Sequence, residues 1–148
     1  MPEIIAVDPG VRKPLGVAHF LGNKLVRAFL VPQTQRFQSS PDTVLVIEYP
    51  QLYLRSRNPH VDPQDIRDLA AAADRVIAQF STVFKYKPAE WKRQVRKDVM
   101  TRRIWTKWIT EEERKVCELR GLTREQRGDI IDAIGIGVHY LRQLGLRR

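Results

Sequence analysis

Apolar runs of strand length crowd the first third of the chain, and helical periodicity dominates the rest. Ile4 to Asp8 is an unbroken apolar run that ends in Asp-Pro-Gly, the pattern of a central strand entering a turn. Leu15 to Leu21 and Lys24 to Val31 flank Gly22-Asn23, which predicts a two-residue hairpin. The polar, proline-bounded stretch from Pro32 to Asp42 reads as a loop. Thr43 to Tyr49 reads as a second buried strand stopped by Pro50, and Ser81 to Lys85 as a short fifth one.

Between the last two strands lies a helix with Asp62 as N-cap and Pro63 at its first position. Ile66, Leu69, Ala70, Ala73, Val76, Ile77 and Phe80 share one face. Alanines 70–73 permit close packing, against the sheet or against a second copy of the chain. After Pro88 a basic segment reads as helix in two pieces. Thr110 with Glu113 forms a capping box for a helix expected to end before Gly121. Thr123 with Gln126 begins the last helical segment, in which Ile130, Ile134, Val138 and Leu141 make an apolar stripe. Strands and helices together predict an α/β fold, and 148 residues suit a single domain spanning 1–148.

Charge adds a partner to this picture. The formal net charge is +9, and Lys85 to Trp108 holds nine lysines and arginines against Glu90 and Asp98. Trp91, Trp105 and Trp108 are interleaved with them. Such clustering is the electrostatic footprint of nucleic-acid binding, because lysine and arginine displace counterions condensed on phosphates. The plain alternative is a solvated helix face with buried tryptophans. One cysteine, Cys117, excludes an intrachain disulfide and a cysteine-based zinc site, which fits a reducing cytoplasm. No signal-peptide pattern opens the chain, and no apolar stretch reaches the roughly 18 residues of a membrane span.

Four carboxylates carry the candidate chemistry. Asp8 and Glu48 each end an apolar strand, and Asp129 and Asp132 stand one helical turn apart in GDIIDAIGIGVH. An aspartate beginning a turn or capping a helix explains Asp8 or Asp129 taken singly. It does not explain Glu48, whose burial is costly without a partner, or a second aspartate on the same helix face. Together they predict an oxygen-only site for Mg2+ or Mn2+. His139 lies on the same face, two turns beyond Asp132, within reach of that centre. Gly135 and Gly137 each cost a helix about 1 kcal/mol, which is acceptable where backbone must lie close to the sheet or to DNA. The segment from Gln51 to Val61, with Tyr53, Arg55 and Arg57, has no regular period and reads as a loop placed to touch substrate or as a plain connection.

A strand ending Asp-Pro-Gly, a second ending in glutamate, a basic segment with spaced lysines and an Asp-x-x-Asp-Ala helix followed by histidine resemble, in order, the RuvC family of Holliday junction resolvases, within the RNase H-like superfamily. The nearest likeness is to small resolvases of phages and bacteria. The resemblance implies an RNase H-like fold, a mixed five-stranded central sheet flanked by helices. It implies that Asp8, Glu48, Asp129 and Asp132 are catalytic and hold two Mg2+ ions, with Mn2+ as a substitute, and that His139 falls near a family histidine.

Within PAEWKRQVRK, Lys92 and Lys97 resemble lysines that contact DNA near the scissile phosphate, with Arg93 and Arg96 beside them. Tyr53, with Tyr49 second, corresponds to the aromatic at the junction centre, and Arg55 and Arg57 share its loop. The implied activity is paired symmetric nicking of four-way DNA junctions by a homodimer in a bacterial cytoplasm, in recombination, repair or removal of phage DNA branches. The alternatives are another RNase H-like nuclease, acting on RNA:DNA hybrids or flaps, or an inactive junction-binding module. One departure stands out: the family places a helix between the third and fourth strands, and residues 32–42 are too short and too polar for a full one.

Overall fold

The computed structural model describes residues 2–50 and 62–148. Strands β1 (Glu3–Asp8), β2 (Leu15–Leu21), β3 (Lys24–Val31), β4 (Val44–Glu48) and β5 (Thr82–Tyr86) form one sheet in the order β3-β2-β1-β4-β5. β1, β2 and β3 are antiparallel neighbours, whereas β4 and β5 run parallel to β1. The sheet is therefore mixed, with β1 buried at its centre. Gly22 makes the β2–β3 turn at a φ of 61°, open to glycine without a Cβ penalty.

Helices cover both faces. Along β1 the side chains alternate: Ile4 and Ala6 pack with the last helix, α5 (Arg124–Gln143), while Ile5 and Val7 pack with Ala73 and Val76 of α1 (Pro63–Ile77). The alanine face of α1 thus goes against the sheet, and Ala71 and Ala78 are left exposed. Asp62 caps α1, its side chain accepting from the Gln64 amide. No helix forms in residues 32–42, as their polarity predicts.

The basic segment folds as α2 (Pro88–Lys92), α3 (Lys97–Arg103) and a π-helical turn, Ile104–Trp108. Both capping boxes form, at Thr110/Glu113 and Thr123/Gln126. The helix begun at Thr110, α4 (Glu111–Lys115), is shorter than the expected run to Gly121. Its continuation is drawn off by the sheet: Ala28 of β3 donates to the Val116 carbonyl at 3.3 Å and accepts from the Glu118 amide at 2.7 Å.

A one-sided apolar stripe was expected in α5, yet every residue from Gly128 to Val138 is buried. The sheet covers one side of the helix, and α2, α3 and the π-helical turn cover the other. Its glycines make that sandwich possible. A Cβ on Gly137 would come within 2.3 Å of Phe20 in β2, and one on Gly135 within 2.5 Å of Trp91 on the far side. Backbone approach to protein, rather than to DNA, accounts for both.

Candidate metal centre

Strand register brings the first two carboxylates together. Val7 of β1 pairs with Ile47 of the parallel β4, so Asp8 and Glu48, one residue on, end adjacent strands side by side. The two-residue period sends both side chains to the face that carries Ala6 and Val46, which is the face covered by α5. Gly16 lies across from Asp8 on β2, where a Cβ would fall 2.3 Å from the Asp129 carbonyl oxygen. The missing side chain lets the first turns of α5 descend onto the strand ends. Asp129 and Asp132, one turn apart, then point at Asp8, and carboxylate oxygens of these three lie within 4.8 Å of one another.

The site lies in a cleft of about 580 Å3 lined also by Glu48, Lys13, Lys92, Arg93 and Lys97. Two ammonium groups partly compensate the acids. Lys92 Nζ is 3.6 Å from both Glu48 and Asp132, and Lys13 Nζ is 3.1 Å from Asp129 and 3.4 Å from Glu125. With Asp8, which has no ion pair among the described residues, five carboxylates share two cations.

Protonation equilibria register the deficit. Burial, and then the charges of Asp132, Glu48 and Asp129, push Asp8 well above the usual carboxylate range. Burial also raises Glu48 and Asp132, although Lys92 pulls both down. Burial lowers Lys92, but Asp132, Glu48 and Asp8 outweigh it and the ammonium is held above its ordinary value. The buried Glu48 Oε2 has no hydrogen-bond donor among the described residues. A buried carboxylate oxygen whose nearest cation is the Lys92 ammonium at 3.6 Å, beside three converging carboxylates, fits a hard divalent cation with oxygen ligands, Mg2+ or Mn2+.

Of the other expected residues, Lys92, Arg93 and Lys97 line the cleft, and Lys92 sits among the carboxylates themselves. Arg93 is held at a φ of 52°, a strained conformation of the kind that concentrates at functional sites. Arg96 is exposed and paired with Asp98 at 3.1 Å. His139 is not part of the three-carboxylate group. Seven residues of helix carry it about 10 Å beyond Asp132, where its ring meets the edge of Tyr86 with centroids 4.9 Å apart. Burial lowers its pKa there. Tyr49 faces α1, its hydroxyl 3.4 Å from Asp74. Tyr53, Arg55 and Arg57 lie outside the described residues.

Sequence reasoning missed Lys13 and Gly16. Lys13 follows Asp8 in the same turn, where Gln33 pins the backbone by donating to the Gly10 and Lys13 carbonyls at 2.6 and 3.0 Å. The only sequence signal for it was a lysine soon after Asp-Pro-Gly. Gly16 gave no sequence signal, since its role depends on a contact with α5.

No protein-family model and no curated protein sequence matches the chain. Among solved structures it is similar to the RuvC of T. thermophilus in complex with Holliday junction substrate, at 14% identity and a TM-score of 0.52. That likeness spans 100% of this chain and 99% of the other. No helix among the described residues is long and apolar enough to cross a membrane. Sheet order, helix placement and this likeness give the chain a RuvC-like form of the RNase H-like fold, with acidic residues clustered at the ends of its central strands.

Proposed function

We propose that this protein is a metal-dependent endonuclease of the RuvC type that cuts four-way DNA junctions by symmetric nicking, the whole chain serving as one nuclease domain. The observation that carries the reading is the convergence of Asp8, Asp129 and Asp132 within 4.8 Å, with Glu48 on the neighbouring strand end. The fold it shares with a RuvC bound to a Holliday junction supports the junction as substrate.

Asp8, Glu48, Asp129 and Asp132 are the residues that would hold Mg2+ or, in its place, Mn2+. Two such ions would supply an activated water, charge neutralisation at the phosphate and stabilisation of the leaving 3′ oxygen. The chain's own part is positional. Asp8, fixed by the central strand, is the inner carboxylate; Glu48 and Asp132 flank it, and Asp129 is oriented by Lys13. Lys92 neutralises Glu48 and Asp132 in the free protein and is the cation placed to meet the scissile phosphate. Arg93 and Lys97 in the cleft wall, and Arg96 beside it, hold the strand through backbone contacts that carry little sequence information. Tyr53, Arg55 and Arg57 are proposed to touch the junction centre. A homodimer would pair two cuts, with the exposed Ala71 and Ala78 face of α1 as its contact. The biological setting that fits is DNA recombination, repair or phage branch removal in a bacterial cytoplasm.

The deciding experiment offers end-labelled four-way junction, linear duplex, flap and RNA:DNA hybrid with Mg2+, Mn2+ or EDTA. Symmetric metal-dependent nicks confined to the junction are expected, with Asp8→Asn reducing cleavage to background while junction binding persists. Preferential cutting of hybrid or flap would keep the nuclease and replace its substrate. Junction binding without any cutting would reduce the protein to a binding module.

A further inference from the structure

Beside the cleft runs a second, larger groove of about 1200 Å3, bounded by α3 and the π-helical turn on one side and the first turns of α5 on the other. Its composition is unlike that of the cleft. Its two carboxylates, Asp98 and Glu125, are paired with Arg96 and Lys13, whereas Lys97, Arg102, Arg124 and Arg127 stand exposed along it with no acidic partner within 4.0 Å among the described residues. Between them lies an apolar lining in which the half-buried Trp105 and Leu119 and the edge of Ile131 take part. Lys97 borders both cavities, so cleft and groove adjoin at this side chain. Gly128, next to Asp129, lines the groove, and a Cβ there would meet no side chain and no other element within 4 Å, so there is room beside the carboxylates on this side of α5.

A duplex meets a protein with phosphates and has little use for an apolar floor. Unpaired nucleotides need both cations for the backbone and a flat apolar surface for exposed bases. Trp105 supplies that surface from a π-helical turn, a geometry found disproportionately at functional sites. We propose that this groove is a single-strand subsite: nucleotides of the strand leading away from the cleft lie in it unpaired, with Arg102 and Arg127 on phosphates and a base against the Trp105 ring. The groove deepens the endonuclease reading by making local strand opening part of substrate recognition, and it rests on that reading for the direction of the strand.

The test is made in EDTA with the full chain, so that it does not depend on cleavage. Fluorescence anisotropy compares a labelled 12-nucleotide oligo-dT with a blunt hairpin duplex of equal phosphate number. Trp105→Leu is expected to weaken oligo-dT binding roughly ten-fold, the scale of one lost stacked base, with the duplex little changed; Trp105→Phe should restore most of it. Arg102→Ser/Arg127→Ser should weaken oligo-dT binding and flatten its salt dependence, whereas Lys24→Ser/Arg36→Ser, away from the groove, should not. Thermal unfolding confirms that each variant is folded.

Equal loss for oligo-dT and duplex in Trp105→Leu, or no oligo-dT binding by the wild type, would overturn the subsite. A wild type that cuts no DNA yet binds oligo-dT through Trp105 would remove the nuclease reading and leave the groove standing.

Discussion

Glu113 and Asp132 are both almost fully buried, 2% and 4% exposed, yet their surroundings differ in kind. Glu113 accepts four short bonds: from the Thr110 and Leu25 amides at 2.9 and 2.8 Å and, in a fork, from both Nη atoms of Arg147 at 2.5 and 2.7 Å. Burial raises its pKa, but Arg147 and the two amides outweigh burial and hold the carboxyl below its usual range. Asp132 has a shared ammonium at 3.6 Å and other carboxylates around it, and its pKa is raised. One centre satisfies a buried charge and ties α4, the β2–β3 hairpin and the C-terminal tail together. The other keeps buried charges unsatisfied at the strand ends. A fold that completes the first arrangement and leaves the second short of cations has the charge pattern that the proposed metal site requires.

The largest expected effect breaks the satisfied centre. Arg147→Met leaves Glu113 ionised and buried without its fork, and loss of one partner of a buried pair costs about 3–5 kcal/mol. For a chain of this size that is a fall in Tm of roughly 10 °C or more. A second change, Glu113→Gln, should recover part of the loss, because no buried charge then lacks its partner. A loss below about 1 kcal/mol would mean that solvent screens the pair and the contrast with the cleft is smaller than the geometry indicates.

Next comes the response of the unsatisfied centre to metal. Mg2+ at one hundred times its dissociation constant should stabilise the wild type by about 2.7 kcal/mol. Arg147→Met should keep that increment, since its centre is separate, and Asp132→Asn should lose most of it. Calorimetric unfolding in EDTA and in Mg2+ reads both. An increment unchanged in Asp132→Asn would take this residue out of the ligand set.

A smaller effect has a distinctive pH signature. Asp8 has a folded pKa raised above its unfolded value of about 3.9. Its contribution is therefore fully present below that value and is lost as pH rises through the folded pKa. Glu113 has the opposite sign: it stabilises above about pH 4.3 and loses that contribution as pH falls through its depressed value. In EDTA, Asp8→Asn should then match the wild type near pH 3.5 and exceed it in stability at pH 7. Glu113→Gln should be destabilised at pH 7 and converge on the wild type in acid. Urea unfolding across that range tests both, and a pH-independent Asp8→Asn difference would mean that Asp8 carries no charge-repulsion cost.

These two centres also separate what the sequence made legible from what it hid. Strand runs ending in Asp8 and Glu48, the Asp129/Asp132 spacing and the Glu113 capping box are local patterns, and each appears in the structure at its expected position. Arg147 completes Glu113 from 34 positions away, and Gly16 admits α5 from across the sheet; neither belongs to a local pattern. α4 was overestimated for the same reason, because its end is set by pairing with Ala28 rather than by its own residues. Helical spacing correctly put His139 on the face of Asp132, but the rise along the axis carries it past the cluster to Tyr86.

The smallest expected effect probes the boundary of the unsatisfied centre. Gly128 adjoins Asp129 within α5, and its Cβ position is empty of neighbours, unlike that of Gly16, where a methyl group would collide with the Asp129 backbone. Alanine at 128 therefore adds helix propensity without a clash and should stabilise the protein by about 0.5–1 kcal/mol. The Mg2+ increment should not change, because the carboxylates keep their positions. If nucleotides lie against this stretch of α5, as proposed for the groove, a methyl group at 128 would crowd them. Gly128→Ala should accordingly gain stability while weakening oligo-dT binding by a small factor, measured by the same unfolding and anisotropy experiments. Gain in stability with unaltered strand binding would place the nucleotides farther along the groove, nearer Trp105, and leave the edge of the cleft clear.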